Sequence, residues 1–431
     1  MAGVYFLYSL AVGLLLVVSL PWWLLQMLRL GKYRAGLCER LGFVPRRLAA
    51  GAVSSAGVAW IHAVSVGEAV AIAPLVEVLR AAGWRVVVST TTHTGQKLAR
   101  SKFGEENVFY FPLDLPFCIH PYLRTLRPRL VVMAETEFWP NFLHLARQSG
   151  AHVAVVNARV SDRSYPRYLR CKKWLAKALQ PVELFLAQSE DDAARLRAIG
   201  AIAERVEVAG NLKFDAAQPV ESPAVTEIGT QLRASGAPVL VAGSTGEDEE
   251  DYVLQAFRTV LKEYPEASLV LAPRHKERFE EVAELLRLRR MKFVRRSAGE
   301  VAGQDLRGAV LLLDSLGELA AIYRYSNIAF VGGSLVKLGG HNILEPAFFA
   351  RAILTGPHTE NFRDVMRCFE AAGAVVRCTT KNLGITFILL LRESAEREVL
   401  GARAQQVLLA QRGATERSAR RLLELAKENQ A

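Results

Sequence analysis

The chain has 431 residues, 51% of them hydrophobic, so it can bury two hydrophobic cores in two or three domains. Its five cysteines are an odd number without a CxxC pair, which argues against a disulfide framework and a zinc ribbon and favours a reducing, cytosolic location for most of the chain. A net charge of +11 favours anionic partners: nucleic acid, a membrane surface or a phosphorylated substrate.

The first 28 residues contain no charged side chain. Because about 20 apolar helical residues span a hydrocarbon core of about 30 Å, residues 1–30 are predicted to form a transmembrane anchor rather than a cleaved signal peptide. A basic cluster with a single acidic residue, Glu39, follows; its members are Arg29, Lys32, Arg34, Arg40, Arg46 and Arg47. The positive-inside rule then predicts that the rest of the chain is cytoplasmic. The cluster is either that topology signal alone or also a contact with anionic lipid.

Residues 60–76, WIHAVSVGEAVAIAPLV, have the pattern of a buried strand, a tight loop of small residues and an amphipathic helix. Gly67 permits a close turn, and Glu68 falls in the first helical turn at the carboxyl end of the strand, where open α/β sheets bind their ligands. Glu68 is therefore a candidate catalytic carboxylate. The alternative is that it only favours the positive end of the helix dipole.

Short β-rich runs then alternate with helical stretches, which indicates parallel sheets. The predicted strands are residues 58–63, 86–90, 108–111, 130–134, 152–157, 184–188 and 206–209, followed by 239–242, 269–271, 309–313, 328–331 and 352–354. The predicted fold class is α/β, with two doubly wound, Rossmann-like domains after the transmembrane helix. The predicted divisions are an anchor (1–30), a first domain (31–215), a linker with room for one helix (216–237), a second domain (238–400) and a charged C-terminal helix (401–431) that ends near Glu428.

A second glycine-rich stretch, AFVGGSLVKLGGHNILEPA, covers residues 329–347. A buried strand runs into Gly332 and Gly333, and a second glycine pair precedes His341 and Asn342 at the start of a helix. Free amides and a helix dipole there predict a phosphate site, with Glu345 accepting from ribose hydroxyls. The alternatives are a plain turn and, for Glu345, a dipole partner. The chain has no GxGxxG or P-loop motif, which argues against a dinucleotide or Mg-ATP site.

Polar residues also follow other predicted strands, and they suggest a cleft between two facing domains. These residues are Glu135 and Glu137, then Asn211, Lys213 and Asp215, and in the second half Arg274 and His275. The alternatives are that Glu137 is a surface or supporting residue and that Lys213 is a solvated loop lysine. His62, inside the first strand, is predicted to be a core hydrogen-bonder. The acidic run at residues 247–251 is predicted to favour a helix dipole rather than to bind a metal.

Six motifs resemble those of the Kdo transferases, glycosyltransferases of the two-Rossmann-domain (GT-B) type that move 3-deoxy-D-manno-octulosonic acid (Kdo) from CMP-Kdo to a lipid A precursor. They are HAVSVGEA at 62–69, ETEFWPN at 135–141, NAR at 157–159, GNLKFD at 210–215, APRH at 272–275 and FVGGSLVKLGGHNILEPA at 330–347. The resemblance covers most of the chain, anchor included. Gly246 departs from the family's usual STH, which leaves a polar contact of the second domain open. Phe138 and Ile343 depart from ELWPN and HNPLE conservatively.

The resemblance implies that Glu68 is the general base of an inverting transfer and that Glu135 and Lys213 help to stabilise the transition state. It implies that CMP is contacted by Pro273, Arg274, Leu316, Gly317, Glu318, Asn342, Ile343, Leu344 and Glu345. No metal or cofactor is expected, because Arg274 and amides near Asn342 can stabilise charge on the leaving CMP.

The resemblance also implies the partners of the chain. These are CMP-Kdo, a lipid A precursor (lipid IVA) and the bacterial inner membrane, with the catalytic domains on its cytoplasmic face; no nucleic acid is expected. Two alternatives stay open at the level of the sequence. One is another membrane-anchored GT-B glycosyltransferase or an epimerase that uses a UDP-sugar. The other is a non-catalytic, membrane-tethered binding protein, against which the presence of Glu68, Lys213 and the HNILE loop argues.

Overall fold

The computed structural model of the protein describes residues 2–30, 35–49, 56–216, 219, 221–234, 236–299, 301 and 303–427. The chain forms two compact units, one comprising Met1–Ala216 with Gln411–Ala431 and the other Ala217–Ala410. Lys32 and Arg34 of the predicted basic cluster lie outside the described residues, as does the helix end predicted near Glu428.

The first unit begins with a long apolar helix, α1 (Ala2–Leu30). Within it, Gly3–Met27 is long and apolar enough to cross a membrane, by length and composition. Two short helices, α2 (Leu37–Arg40) and α3 (Arg46–Ala49), come before the first sheet.

The first sheet alternates strands with helices as the sequence predicts. Its elements are β1 (Val58–His62), α4 (Val66–Ala71), α5 (Ala73–Ala81), β2 (Arg85–Thr90), α6 (His93–Phe103), β3 (Val108–Tyr110), α7 (Pro116–Leu126), β4 (Leu130–Ala134), α8 (Pro140–Gln148), β5 (His152–Ala158), α9 (Tyr165–Arg170), α10 (Lys172–Leu179), β6 (Leu184–Ala187), α11 (Glu190–Ile199), β7 (Val206–Val208) and α12 (Lys213–Ala216). The strands are parallel, in the order β3-β2-β1-β4-β5-β6-β7. The strand order therefore reverses between β1 and β4, which is where doubly wound sheets bind ligands.

Both faces of the first sheet are covered, because successive strand residues point to opposite sides. Trp60 packs on one face against Phe109 and Phe142, with 4.6 Å between the ring centroids of Trp60 and Phe142. Ile61, the next residue, belongs to the core on the other face, which also contains Leu422 from the C-terminal end of the chain.

The second sheet repeats this pattern. Its elements are α13 (Pro223–Arg233), β8 (Val239–Thr245), α14 (Glu249–Leu261), β9 (Ser268–Pro273), α15 (Phe279–Leu288), β10 (Phe293–Arg295), β11 (Val310–Leu312), α16 (Leu319–Ile322), β12 (Ile328–Val331), α17 (Leu344–Phe348), β13 (Ala352–Thr355), α18 (Arg363–Ala371), β14 (Val376–Arg377), α19 (Leu383–Arg392) and α20 (Ser394–Gln411). The parallel strands have the order β10-β11-β9-β8-β12-β13-β14, which reverses between β8 and β12.

The predicted strands all form, and the α/β fold class with two parallel sheets is confirmed. Two short edge strands, β10 and β14, are additional. The segment predicted as a linker contains α13, whose Val225, Ile228 and Leu232 are buried in a core of the second unit.

The C-terminal end differs from the prediction of one charged helix from Gly401. The structure has two helices, α20 and α21 (Ala414–Leu425), separated at Gly413, whose φ of 91° interrupts helical geometry. Helix α21 returns to the first unit. The Asp215 carboxylate accepts the backbone N–H groups of Gly413 (2.8 Å) and Thr415 (2.6 Å), so it caps the start of α21.

Candidate functional site

Glu68 lies one turn into α4, directly after β1 at the reversal point of the first sheet. Ser65 is the N-cap of α4, and its hydroxyl accepts the Glu68 N–H at 3.4 Å. The Glu68 carboxylate reaches back: Oε2 accepts the Val64 N–H at 2.8 Å, and Oε1 accepts the Ser65 hydroxyl at 2.9 Å. The arrangement is similar to a capping box, as the local sequence S-x-x-E favours, except that the carboxylate accepts the N–H of Val64, one residue before the N-cap. Glu68 therefore stabilises the start of the helix, which was the alternative role for this residue. The same hydrogen bonds fix the position of its carboxylate.

Burial, the largest cause, and the negative charge of Glu135 together raise the pKa of Glu68 from 4.5 to about 7, against the lowering effect of the Val64 and Ser65 donors. A carboxylate with a pKa near 7 can accept a proton far more readily than an ordinary glutamate and is still ionised in a large fraction of molecules at neutral pH. Perturbed pKa values of this kind cluster at functional sites.

Glu135 and Lys213 form an ion pair on the same sheet edge. Glu135 follows β4 and Lys213 starts α12; Glu135 Oε1 lies 3.1 Å from Lys213 Nζ. The other oxygen, Oε2, lies 3.5 Å from Nε of Arg159, at the end of the neighbouring strand β5. The side chains of Glu135, Lys213 and Arg159 are largely buried. Helix α12, which begins with Lys213, packs against α4, which carries Glu68. The structure thus brings the three predicted catalytic residues together at one edge.

Two non-glycine residues at this edge have left-handed backbone conformations. Glu135 has φ of 56° and Asn157 has φ of 54°. Such conformations cost of order 1–3 kcal/mol and persist where the surroundings fix them, often at functional sites. Here the Asn157 Oδ1 accepts the Leu212 N–H at 3.0 Å, and the Glu135 N–H donates to the Val156 carbonyl at 2.9 Å. The NAR and GNLKFD motifs are therefore tied to each other.

The alternative for Lys213, a solvated loop lysine, is wrong, because its side chain is 20% exposed and paired with Glu135. Its backbone N–H also donates to the Asn211 side chain at 3.0 Å. Glu137 is partly buried, and burial followed by the charge of Glu135 raises its pKa. Arg159 was not predicted as a site residue, although it belongs to the NAR motif and contacts Glu135.

In the second unit, Arg274 follows β9 and lies close to residues of the HNILE segment. Burial, the largest cause, and the positive charges of Arg274 and His275 together lower the pKa of His341 to about 4. Burial raises the pKa of Glu345, against an Asn342 side-chain N–H at 3.2 Å and the Arg274 charge. Arg274 itself is exposed, so its guanidinium is accessible to an anion, and Pro273 is buried as the last residue of β9.

The remaining predicted CMP contacts lie on the same edge of the second sheet. Leu316, Gly317 and Glu318 follow β11, the neighbour of β9; Leu316 is 70% exposed and Gly317 has φ of 90°. Glu318 is held by an ion pair of 3.1 Å with Arg296 and by the Ser315 hydroxyl. Asn342 Oδ1 accepts the Leu344 N–H at 3.1 Å, which fixes the start of α17, and Ile343 and Leu344 are buried.

Amides beside the first glycine pair bind the protein's own Glu249, and the Gly332 N–H donates to the Gly243 carbonyl at 2.8 Å. The Glu249 carboxylate, 0% exposed, accepts the backbone N–H groups of Gly246, Gly333, Ser334 and Leu335 at 2.5–2.8 Å. The concave set of amides that suits an anion is therefore filled by the protein's own carboxylate. Glu249 belongs to the acidic run at residues 247–251, which was predicted to favour a helix dipole. The phosphate site predicted at the start of the helix near Asn342 stays a prediction.

Gly332 and Gly333 lie against other parts of the protein. A Cβ at Gly333 would lie 2.7 Å from the His341 ring, and one at Gly332 would lie 2.7 Å from the Ser244 carbonyl. The glycines are thus needed for close packing within the loop. A Cβ at Gly246, the position where the STH motif departs, would lie 2.2 Å from Leu338.

His62 is a core residue, as predicted. It is fully buried, its Nδ1 lies 3.0 Å from the Ser89 hydroxyl, and its ring stacks on Phe111 at 4.0 Å; burial lowers its pKa to about 3. Within the described part of the chain, no three or more His, Cys, Asp or Glu side chains are grouped so as to hold a metal ion.

Comparisons with known proteins identify the family. A family model described as 3-deoxy-D-manno-octulosonic-acid transferase (kdotransferase) matches residues 35–216. The chain is 37% identical to a 3-deoxy-D-manno-octulosonic acid transferase of Haemophilus influenzae, over 92% of either chain, and 36% identical to one of Bordetella pertussis, over 87% of this chain and 90% of the relative.

Among solved structures, a UDP-GlcNAc 2-epimerase from Neisseria meningitidis is similar in fold, with a TM-score of 0.58 and 16% identity over 85% of this chain and 100% of that one. At that identity the similarity concerns the fold alone, and it agrees with the GT-B class of two Rossmann-like domains. The identities of 37% and 36% to the two transferases, which extend over most of the chain, establish the family. The chain belongs to the 3-deoxy-D-manno-octulosonic acid transferases.

Proposed function

We propose that the protein is an inverting glycosyltransferase that moves Kdo from CMP-Kdo to a lipid A precursor, lipid IVA, at the cytoplasmic face of the bacterial inner membrane. Membership of the Kdo transferase family supports the donor and the reaction class. The apolar α1 helix supports an association with the membrane, where such an acceptor resides. The observation that carries the mechanism is the partly buried Glu68, with a pKa near 7, beside the Glu135–Lys213 ion pair.

In the proposed mechanism, Glu68 takes the proton of the acceptor hydroxyl while its oxygen bonds to the anomeric carbon of Kdo. The bond from that carbon to the CMP phosphate breaks at the same time, and CMP leaves with the electron pair. Lys213 and Glu135 orient the negatively charged donor and the transition state, with Lys213 supplying the positive charge. General-base assistance is typically worth 10²–10⁴-fold in rate.

The proposal assigns CMP binding to Arg274, with Pro273, Leu316, Gly317, Glu318, Asn342, Ile343, Leu344 and Glu345. The exposed Arg274 guanidinium is suited to bind a phosphate, because arginine forms charge-assisted and often bidentate hydrogen bonds to phosphate. Stabilisation of the leaving phosphate by this cation would serve the role that a divalent metal serves in other transferases, so we propose a metal-independent reaction.

The test is turnover by the full-length protein in detergent, with CMP-Kdo and a tetra-acyl lipid A precursor, followed by mass spectrometry of the lipid. The expected product carries added Kdo, forms at an undiminished rate with a chelator present, and has the inverted anomeric configuration by NMR. Transfer from a UDP-sugar instead would support the other GT-B class, and CMP-Kdo binding without any turnover would support a binding protein. A rate that falls on chelation would overturn the metal-independent mechanism.

A further inference from the structure

The N-terminal end of α1 is attached to the first unit through polar side chains. The Tyr5 hydroxyl donates to the Lys177 carbonyl at 3.1 Å, and the Tyr5 ring stacks on His144 at 3.9 Å. The Asn141 side-chain N–H donates to the Ser9 hydroxyl at 3.0 Å. The first three turns of α1 therefore lie against the domain.

These contacts follow from the spacing of polar residues in α1. Tyr5, Tyr8 and Ser9 are at positions i, i+3 and i+4, so they share one helix face. The Tyr8 hydroxyl donates to the Asp114 carboxylate, which also accepts the backbone N–H groups of Asn141 and Phe142 at the start of α8. A polar face of this kind would have no partners among acyl chains, and here its three members are satisfied by the domain.

The chain just after α1 is attached to the same unit. Gly36 packs directly on the Tyr110 ring, since a Cβ there would overlap it. The Tyr110 N–H donates to the Glu39 carboxylate at 2.7 Å, and the Arg40 carbonyl accepts the Leu113 N–H at 2.8 Å. The chain is thus attached to the same folded unit at Tyr5–Ser9 near the start of α1 and again from Gly36 onwards.

These attachments conflict with a helix that crosses the bilayer. From Ser9 to Leu30 the helix extends about 32 Å, slightly more than the hydrocarbon thickness of about 30 Å. From Leu30 to Gly36 an extended chain reaches at most about 21 Å. With the domain on the side of Ser9, a crossing helix would leave Gly36 within the hydrocarbon. With the domain on the other side, Ser9 would lie at the far surface of the hydrocarbon, although its partner Asn141 belongs to the folded domain.

The opposite side of α1 nevertheless requires an apolar environment. Phe6, Leu10, Val17 and Val18 are 60–70% exposed. A groove of about 380 Å³ between α1 and the start of α7 is lined almost entirely by apolar side chains, and Phe117 of the domain, 66% exposed, extends this apolar surface.

A basic segment marks the level of the lipid headgroups. Residues 163–177, which include α9 and α10, contain six exposed cations and no acidic residue; the cations are Arg163, Arg167, Arg170, Lys172, Lys173 and Lys177. This segment contacts the docked end of α1, because the Trp174 ring lies 5.8 Å from the ring of Tyr8. Each basic residue close to an anionic membrane surface is worth about 1 kcal/mol. The first turns of α1 are therefore at headgroup depth, beside these cations.

We infer that α1 does not cross the membrane but lies obliquely in the cytoplasmic leaflet, with its Tyr5–Tyr8–Ser9 face held by the domain and its outer face in contact with acyl chains. The outer face of α1 is thus covered by one leaflet of an anionic bilayer. The inference rests on the membrane association proposed above and replaces the single-pass topology that the sequence predicts.

The test is labelling of single cysteines by a membrane-impermeant maleimide. The full-length protein is expressed with Cys38, Cys171 and Cys368 replaced by serine, and then carries Gly3→Cys, Val18→Cys or, as a reference on the first unit, Glu204→Cys. A Cβ at Gly3 has no atom within 4 Å, so the first variant adds no clash. Inverted inner-membrane vesicles expose the cytoplasmic face, and each variant is labelled with and without detergent.

The expected result is rapid labelling of Gly3→Cys and Glu204→Cys in intact vesicles, and labelling of Val18→Cys only after detergent is added. If Gly3→Cys is protected in inverted vesicles and labelled in spheroplasts, α1 crosses the membrane and the inference is wrong. Labelling of Val18→Cys in intact vesicles also overturns it, because the helix is then not embedded. Loss of the protein from the vesicle pellet would instead contradict the membrane association itself, which separates the two failures.

Discussion

The substitution Glu68→Gln separates the two roles of this side chain, the helix cap and the proton acceptor. A carboxamide oxygen can still accept the Val64 N–H, and the adjacent NH2 can donate to the Ser65 hydroxyl, so the cap is kept. The proton acceptor is lost. We expect kcat to fall by about 10²–10⁴-fold, the usual contribution of a general base, while the KM for CMP-Kdo changes little. The wild-type rate should rise with pH up to about 7 and level above it, since only ionised Glu68 acts as a base.

The same variant should be more stable than the wild type at high pH. Because the Glu68 pKa is about 7 in the folded protein and near 4.5 in the unfolded chain, the folded state binds more protons between these values. Wild-type stability therefore decreases as pH rises from 4.5 to 7, by at most roughly 3 kcal/mol, and less where solvent screens the partly exposed carboxylate. A glutamine does not titrate. The difference in Tm between Glu68→Gln and the wild type should therefore grow in favour of the variant as pH rises from 4.5 to 7. It should reach several degrees, at about 2–4 °C per kcal/mol for a domain of this size.

Thermal unfolding at pH 5 and pH 8, together with steady-state kinetics, measures both effects. Glu77→Gln is the matched control: Glu77 lies on the next helix, α5, and its side chain is 67% exposed, so neither activity nor the pH dependence of Tm should change. A Glu68→Gln enzyme with near wild-type kcat, or with a Tm difference from the wild type that is the same at both pH values, would refute the assignment of Glu68 as a buried base.

Three further predictions concern charges that the structure places with specific partners. Lys213→Met removes a charge-assisted contact worth about 1.5–3 kcal/mol and should lower kcat about 10–10²-fold, with partial recovery in Lys213→Arg; equal kinetics of the two variants would contradict a role for the charge. Glu249→Gln turns an NH2 group toward buried amide donors, which should lower Tm by several degrees and raise the KM for CMP-Kdo, whereas the exposed Glu247→Gln should change neither. Arg274→Ala should raise that KM about tenfold and, in an NMR titration, raise the His341 pKa from about 4; a constant His341 pKa would place the arginine elsewhere.

Local sequence patterns were sufficient for the parts of the site that depend on neighbouring residues. The strand, the small-residue loop and the S-x-x-E motif together placed Glu68 at the end of β1, and all of these lie within residues 58–68. The pairing of Lys213 with Glu135, 78 positions apart, was suggested only by their shared place after parallel strands. The adjacency of β4 and β5 accounts for the contact of Glu135 with Arg159, whereas Lys213 follows β7, three strands away, and its segment is held near β5 by the Asn157 side chain, which accepts the Leu212 N–H.

Contacts between distant segments account for what the sequence did not indicate. Three of the four amides that bind Glu249 belong to residues 84–86 positions later, and an isolated acidic run contains no sign of such partners. Strands β10 and β14 are three and two residues long, are only partly buried, and lie at sheet edges, so their side chains do not alternate in the way that identifies a half-buried strand. The break at Gly413 had a local signal, a glycine after an arginine, which the continuous charge of the helix obscured.

The return of α21 to the first sheet affects the order in which the protein can fold during synthesis. Leu422 and Ala419 fill the core beside Ile61. The Asp215 carboxylate can bind the amides of Gly413 and Thr415 only after those residues have been synthesised. A ribosome adds about 5–20 residues per second, so roughly 10–40 s pass between the synthesis of Ala216 and that of Leu425. During that interval the second unit is synthesised as far as Ala410, whereas one face of the earlier sheet stays uncovered. The half of the enzyme that is made first is therefore finished last, and a nascent chain of this length offers chaperones an apolar surface until translation has almost ended.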